Sequence, residues 1–468
     1  MSTESITPDL TARLGRIIAR LAEGLVERDD LARKIFLTAL AGEHSLLIGP
    51  PGTAKSALAR RLHLAFADGR YFERLLTRFS VPEELFGPLS ISALEQDRYE
   101  RHVAGFLPDA RIAFIDEVFK ANSAILNALL TLLNEREFDN GAGRIACPLV
   151  SVVGASNAVP DDDAAEAFFD RFLMRLVVEP VSTARFGALL AAQPEVHAAP
   201  FADALSADEL HALSEQARTV GMPPAVLASL TALRAAVTEL SLPVSDRRWV
   251  KIVTLLKTAA ASEARREVSI WDLALLPPCL AVDGPGQAAL EAWLLTHLGV
   301  GPASSPLRLS RVVEAFEAQL AAELKANDLD YDADGRLRFS AGELAHEIGD
   351  AKGGAGALRM TYQRKRRYGE CHVRARTAQV DALIERIDRY RAEVEARIDD
   401  LARYAQRSLW SAPGVLAAAS RHLNETRQAI GQLHARAVAV RSGFATLPRL
   451  AEDTGKVPDP IHHEAWDG

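Results

Sequence analysis

The stretch from Ser45 to Ser56, SLLIGPPGTAKS, constrains this chain more than any other. A short apolar run (Leu46, Leu47, Ile48) meets a Gly/Pro loop. Lys55 and Ser56 follow, and then ALARRLHLAF with helical spacing. Strand, glycine loop and helix in this order make a cradle for a nucleoside triphosphate. The cradle comprises Gly49, Pro50, Pro51, Gly52, Thr53, Ala54, Lys55, Ser56 and Ala57. Backbone N–H groups of such a loop point at the phosphates, and the helix N-terminus adds partial positive charge. Lys55 is placed to reach the β/γ-phosphates and the Ser56 hydroxyl to hold Mg²⁺. One position departs from the pattern G-x-x-x-x-G-K-[ST], because Ala54 stands where glycine is usual. The added methyl group is accommodated if the backbone there keeps a negative φ.

A chain of 468 residues predicts two or three domains. Apolar content of 48% and charged content of 25% describe an ordinary globular protein with ample core. The net charge of −8 argues against a dedicated nucleic-acid binder, which is basic as a rule. Cys147, Cys279 and Cys371 lie far apart and form no CxxC, which points away from a disulfide framework or zinc site. A reducing, cytoplasmic setting is expected. The start, MSTESITPDL, lacks the basic-then-apolar order of a secretion signal, and no apolar run reaches the length of a membrane span.

Leu10, Leu14, Ile17, Leu21 and Leu25 recur at helical spacing, and Leu31, Ile35 and Leu40 mark a second helix ended by Gly42. Leu25 and Val26, just before the phosphate loop, are candidates for the wall of an adenine pocket. Tyr71 to Phe79 reads as a second strand, and residues 88–104 as a short β-hairpin with its tip near Glu95-Gln96-Asp97. Ile112 to Asp116 is an apolar strand ending in Asp-Glu. Asp116 there binds the metal, and Glu117 accepts a proton from the attacking water. A leucine-faced helix, SAILNALLTLLNEREF, leads through Asp139-Asn140-Gly141 into a hairpin. The buried strand Leu149 to Asn157 ends in an asparagine that can orient the attacking water. Arg171 can enter a neighbouring subunit's site in a ring, with Arg175 as the competing candidate. Ser245-Asp246-Arg247-Arg248-Trp249 places arginines at a capped helix start, suited to an anion.

From Ala303-Ser304-Ser305-Pro306 the composition shifts. Leu307 to Leu324 is one helix. Ile384, Ile387, Val394, Ile398 and Leu401 extend a near-heptad pattern, and the chain returns through Leu416 to Val440 as a helical hairpin or bundle. Asp330 to Gly335 imitates a calcium loop, but Ala341 stands where that loop requires a glutamate. Arg364-Lys365-Arg366-Arg367-Tyr368 reads as a solvated loop or protein contact rather than a nucleic-acid site.

Taken together, GPPGTAKS, IAFIDE, the Asn157 strand and DRF resemble the AAA+ superfamily in its MoxR branch. PEELFGPLSI resembles that branch's helix 2 insertion, and EFDNGAGRIACP its pre-sensor-1 insertion. Alanine before the lysine also occurs in that branch. RFSVPEELFGPLSI, RYERHVAGFLP, AILNALLTLLNEREFDNG and VSDRRW resemble segments of its regulatory ATPase variant A (RavA) group. The resemblance covers about residues 10–300. It implies an α/β fold: an αβα nucleotide-binding core with a parallel sheet over 1–195 and an all-α lid over 196–305. A C-terminal helical bundle over 306–468 carries a short insertion at about 329–372. It further implies ATP and Mg²⁺ as ligands, a homo-hexamer, and a partner with a von Willebrand factor A domain. Asn157 becomes sensor 1, Arg171 the arginine finger and Arg247 the sensor 2 arginine, with Arg248 second. The β-rich insertion by which some RavA proteins bind lysine decarboxylase is shortened here, so that partnership is not carried over. The leading expectation is a chaperone-like motor acting on a protein client. The alternatives are a nucleic-acid motor, a magnesium-chelatase-type motor subunit and a nucleotide-locked scaffold. All catalytic motifs precede residue 250, so residues 310–440 are expected to be dispensable for hydrolysis.

Overall fold

The computed structural model describes residues 8–67, 69–141, 143–159, 168–192, 200–299, 306–328, 364–410, 413–450, 455 and 457–463. The calcium-like run, and residues 329–363 of the expected insertion, lie outside them.

Seven strands organise the first part of the chain: β1 (His44–Ile48), β2 (Tyr71–Leu75), β3 (Ile112–Asp116), β4 (Glu137–Asp139), β5 (Arg144–Ala146), β6 (Ser151–Ser156) and β7 (Phe172–Val177). Five of them form one parallel sheet in the order β2-β3-β6-β1-β7. β1 and β6 are buried along their whole length, as strands of a sheet covered on both faces must be. Gly154 of β6 lies opposite Leu46. A Cβ there would come 2.9 Å from the Phe172 ring, so only glycine lets these strands pack.

Helices α1 (Pro8–Ala22), α2 (Asp29–Leu40), α3 (Lys55–Leu62), α4 (Glu83–Phe86), α5 (Ile91–Leu94) and α6 (Ser123–Glu135) accompany the sheet. The apolar stripe of α1 is realised, with Leu14, Ile17 and Leu21 buried. α2 packs on β1 and β7, and α3 on β3. α6 begins at Asn122, whose side chain accepts the Ile125 N–H at 3.0 Å, and buries Ile125, Leu129 and Leu132. The hairpin expected beyond it is present as β4 and β5, antiparallel.

Two expectations are corrected. The second strand stops at Leu75, because Ser80 Oγ accepts the Thr77 N–H at 3.1 Å and turns the chain. Residues 88–104 are no β-hairpin. Only the Leu89–Arg101 bridge pairs, while Ser90 caps the single turn α5 by accepting the Ala93 N–H at 3.3 Å. Local capping there outcompetes strand pairing.

Next come α7 (Phe186–Ala191), α8 (Ala207–Thr219), α9 (Pro224–Glu239), α10 (Asp246–Ser262), α11 (Pro277–Leu280) and α12 (Gly284–Gly299). Ser206 and Glu209 close a capping box on α8. Beyond residue 305 lie α13 (Pro306–Lys325), α14 (Glu370–Arg407) and α15 (Pro413–Ala445).

The chain divides into two compact units. The first joins the residues up to Leu298 with Leu401–Ala418, and the second holds the remainder. Within the first unit Trp410 is 1% exposed. Its ring lies 6.0 Å from that of Phe36, and its Nε1 donates to Ser262 Oγ at 2.8 Å. Within the second unit the buried stripe of α14 is Val380, Leu383, Ile387, Tyr390 and Val394. Ile384 and Ile398, expected in that stripe, are half-buried. Glu323 anchors this unit by accepting from His372 Nε2, Arg376 Nε and Gln319 Nε2, each at 2.9 Å. Tyr368, the aromatic of the basic run, is buried and donates its hydroxyl to Glu323 O at 2.7 Å.

Candidate active site

The crevice outside the carboxyl ends of a parallel sheet, where strand order reverses, is where such folds bind ligands. Here β1 lies beside β6, and β6 beside β3, so three strand ends converge. They carry Gly49, Asn157 and Asp116–Glu117. Gly49 N–H donates to Ser156 O at 3.0 Å, which aligns the first two ends. A Cβ on Gly49 would lie 2.1 Å from Val178 O, so the loop must leave β1 through a glycine.

Lys55 and Ser56 stand in the first turn of α3, with Ala57 behind them. The Lys55 side chain turns back into the loop, donating to Gly49 O at 2.7 Å and Pro50 O at 2.8 Å. Burial lowers its pKa, while Asp116 and Glu117 oppose that effect. Thr53 Oγ1 donates to Pro50 O at 2.9 Å, bracing the turn formed by Pro50, Pro51 and Gly52.

Ala54 does not keep the negative φ expected of it. It sits at φ 68°, ψ 22°, in the left-handed region. The chain must turn there so that α3 can begin, and the sequence supplies no glycine to do it.

On β3, Asp116 Oδ1 accepts the Glu117 N–H at 3.0 Å, and Glu117 itself turns to φ 51°. Its carboxylate receives the side-chain amide of Asn157, and Lys120 Nζ lies 3.3 Å away. Glu117 and Asn157, chosen 40 positions apart in the sequence, are therefore in direct contact.

The four arginines separate by environment. Arg175, the competing ring arginine, is 3% exposed on β7 with its guanidinium 4.1 Å from the Phe169 ring centre. Burial and the nearby Arg248 charge lower its pKa to about 9. Arg248, the second choice for sensor 2, is 2% exposed and saturated by the carbonyls of Asp170, Phe172, Leu173 and Cys279 and the Asp170 carboxylate. Both are packed into the protein. Arg247 is exposed at the start of α10. Arg171 is less open than a surface arginine, with its side chain 19% exposed. Its Nε is buried without a hydrogen-bond partner. Burial, and then the charge of Arg247, lower its pKa, so these two cations are neighbours.

Leu25 and Val26 are half-buried in the turn between α1 and α2. The residue that sequence reasoning missed is two positions on. Arg28 is buried and donates Nε to Thr53 O of the phosphate loop at 3.1 Å. Only its proximity to the loop in sequence could have drawn attention to it. Among the described residues no cluster of His, Cys, Asp and Glu forms a separate metal site, and no helix is long and apolar enough to cross a membrane.

Comparison with known proteins bears on the family and the fold. Residues 12–215 match the model of the MoxR domain in the MoxR-vWA-beta-propeller ternary systems, and residues 225–291 match that of an AAA lid domain. An uncharacterized protein of Methanocaldococcus jannaschii, MJ0079, is 38% identical over 57% of this chain and 70% of its own. A second from that organism, MJ0812, is 37% identical over 56% and 70%. The fold resembles the crystal structure of a candidate ATPase from Cytophaga hutchinsonii, with TM-score 0.51 and 17% identity, covering 62% of this chain and 94% of the other. With these matches, the chain belongs to the MoxR-type AAA+ ATPases.

Proposed function

We propose that this protein hydrolyses ATP with Mg²⁺ at the Lys55–Glu117 crevice and uses the cycle to remodel a protein complex. The observation that carries the reading is the convergence of a lysine-bearing loop, an Asp-Glu strand end and an asparagine at the carboxyl ends of neighbouring strands in one parallel sheet. The donor set fits a magnesium nucleotide. An ammonium and loop N–H groups suit phosphate oxygens, while the Ser56 hydroxyl and the Asp116 carboxylate are hard oxygen ligands of the kind Mg²⁺ takes. When bound, the ion neutralises charge on the β- and γ-phosphates.

The chain's own residues divide the work. Lys55 exchanges its two carbonyl partners for phosphate oxygens. Glu117 takes the proton of the attacking water, and the Asn157 amide fixes the carboxylate that does so. Arg171 covers γ-phosphoryl charge across a subunit interface, which makes hydrolysis depend on a ring, and Arg247 adds a second cation beside it. The hexamer, the chaperone-like role and the RavA-like specialisation are part of this proposal. So is a von Willebrand factor A partner, which the description of the matched family names for its own systems.

Lys55→Ala tests the reading. Calorimetry should find Mg-ATP binding in the wild type and none in the variant, because a charge facing the phosphates is lost. Equal affinity in the two proteins would contradict the assignment.

A further inference from the structure

Arg28 spends each arm of its guanidinium on a different backbone carbonyl. Nε donates to Thr53 O at 3.1 Å, Nη1 to Glu27 O at 2.8 Å and Nη2 to Glu179 O at 2.7 Å. Arg28 is 5% exposed. One buried cation therefore ties the turn before α2, the phosphate loop and the segment after β7 to one another.

The Thr53 carbonyl belongs to the same planar peptide unit as the Ala54 N–H. Fixing that oxygen fixes the direction in which the N–H points. Ala54 stands at φ 68°, where its Cβ crowds the backbone. Such a conformation persists in a non-glycine residue only where the surroundings over-determine it. From within the loop, Thr53 is held by its own hydroxyl on Pro50 O at 2.9 Å. From outside the loop, it is held by Arg28.

We propose that Arg28 is a positioning residue for the phosphate loop. It holds the Thr53–Ala54 peptide in the orientation a glycine at position 54 would adopt unaided, and so makes alanine workable there. Glycine reaches positive φ at no steric cost and needs no such clamp. The roles of Arg28 and Ala54 are therefore coupled. The inference rests on the phosphate-loop reading above.

A double-mutant cycle on the full chain tests it, with Mg-ATP affinity measured by calorimetry for wild type, Arg28→Gln, Ala54→Gly and the double variant. Arg28→Gln should weaken binding about tenfold, since the left-handed strain alone corresponds to roughly 5- to 30-fold. Ala54→Gly alone supplies the second background, against which the loss from Arg28→Gln is measured again. The double variant should recover most of the loss. A purely structural arginine would give the same loss with alanine or glycine at position 54, and that result overturns the proposal. Wild-type affinity in Arg28→Gln overturns it equally. If Arg28→Gln does not fold, Arg28→Lys enters the same cycle with the same two readings, because an ammonium keeps the charge but loses the three-armed geometry. A folded wild type that binds no Mg-ATP would instead remove the phosphate-loop reading, and this proposal with it.

Discussion

Arg248 grips Asp170 with Nε at 3.2 Å and Nη2 at 3.1 Å from the same carboxylate oxygen, Oδ1, while Asp170 accepts Ser245 Oγ on the other. This pair joins the start of α10 to the turn before β7. Its neighbours in sequence, Arg171 and Arg247, are thereby carried to one place. Arg248→Ala should cost about 1–3 kcal/mol or more, because it leaves several buried carbonyls without a donor and takes one cation from the half-buried Asp170 carboxylate. Arg247→Ala, at an exposed position, should leave the melting temperature unchanged and reduce ATP turnover. Calorimetric unfolding beside a turnover assay separates the two, and a destabilised but active Arg247→Ala protein would reverse the roles assigned here.

Trp410 makes the far end of the chain part of the first unit. Removing residues from 303 onward, a span that includes the 310–440 expected to be dispensable for hydrolysis, should destabilise that unit by removing a side chain packed against Phe36 and Ser262. Trp410→Ala should cost about 3–5 kcal/mol by the usual measure for a large buried aromatic. A chain ending near Pro302 with wild-type thermal stability would contradict this.

Glu209 of α8 binds Arg13 of α1, with Oε2 at 3.0 Å from Nη2. That hydrogen bond is the main cause that holds its pKa below the ordinary 4.5. A carboxyl depressed on folding adds stability above its unfolded pKa and loses it as pH falls through the folded value. Glu209→Gln should therefore lower the stability plateau above about pH 4.5 and flatten the fall on its acid side, leaving stability at lower pH little changed. An unchanged acid limb in urea titrations would show that the pair contributes nothing.

Arg171→Ala should bind ATP almost normally and hydrolyse it poorly, since a ring arginine contributes about 10³–10⁵ in rate. Mixed with Glu117→Gln protein it should regain activity, because an interface combining Arg171 of one chain with Glu117 of another is complete. Mixed rings verified by native mass spectrometry yet still inactive would leave Arg171 a structural residue, its partnerless Nε notwithstanding.

Much of the site was legible because its motifs are local. SLLIGPPGTAKS encodes strand, loop and helix within a dozen residues, and IAFIDE names its own strand end. What was not legible depends on distant contact or on backbone angle. Nothing in GLVERDD says that Arg28 will reach Thr53 and Glu179. Nothing near Ala54 says that it will turn to φ 68°. Residues 88–104 read as a short β-hairpin, yet a serine cap decided for a helical turn. Arg247 and Arg248 are identical and adjacent in sequence, and the facing Asp170 together with the carbonyls of Phe172, Leu173 and Cys279 tells them apart.

Glu117→Gln measures the central claim most directly. The amide keeps the shape beside Asn157 but cannot take the proton of water. Mg-ATP should bind with wild-type affinity while steady-state phosphate release falls below about a tenth of the wild-type rate, given the roughly 10²–10⁴-fold value of a general base. A variant that binds and turns over ATP as the wild type does would contradict catalysis at this crevice.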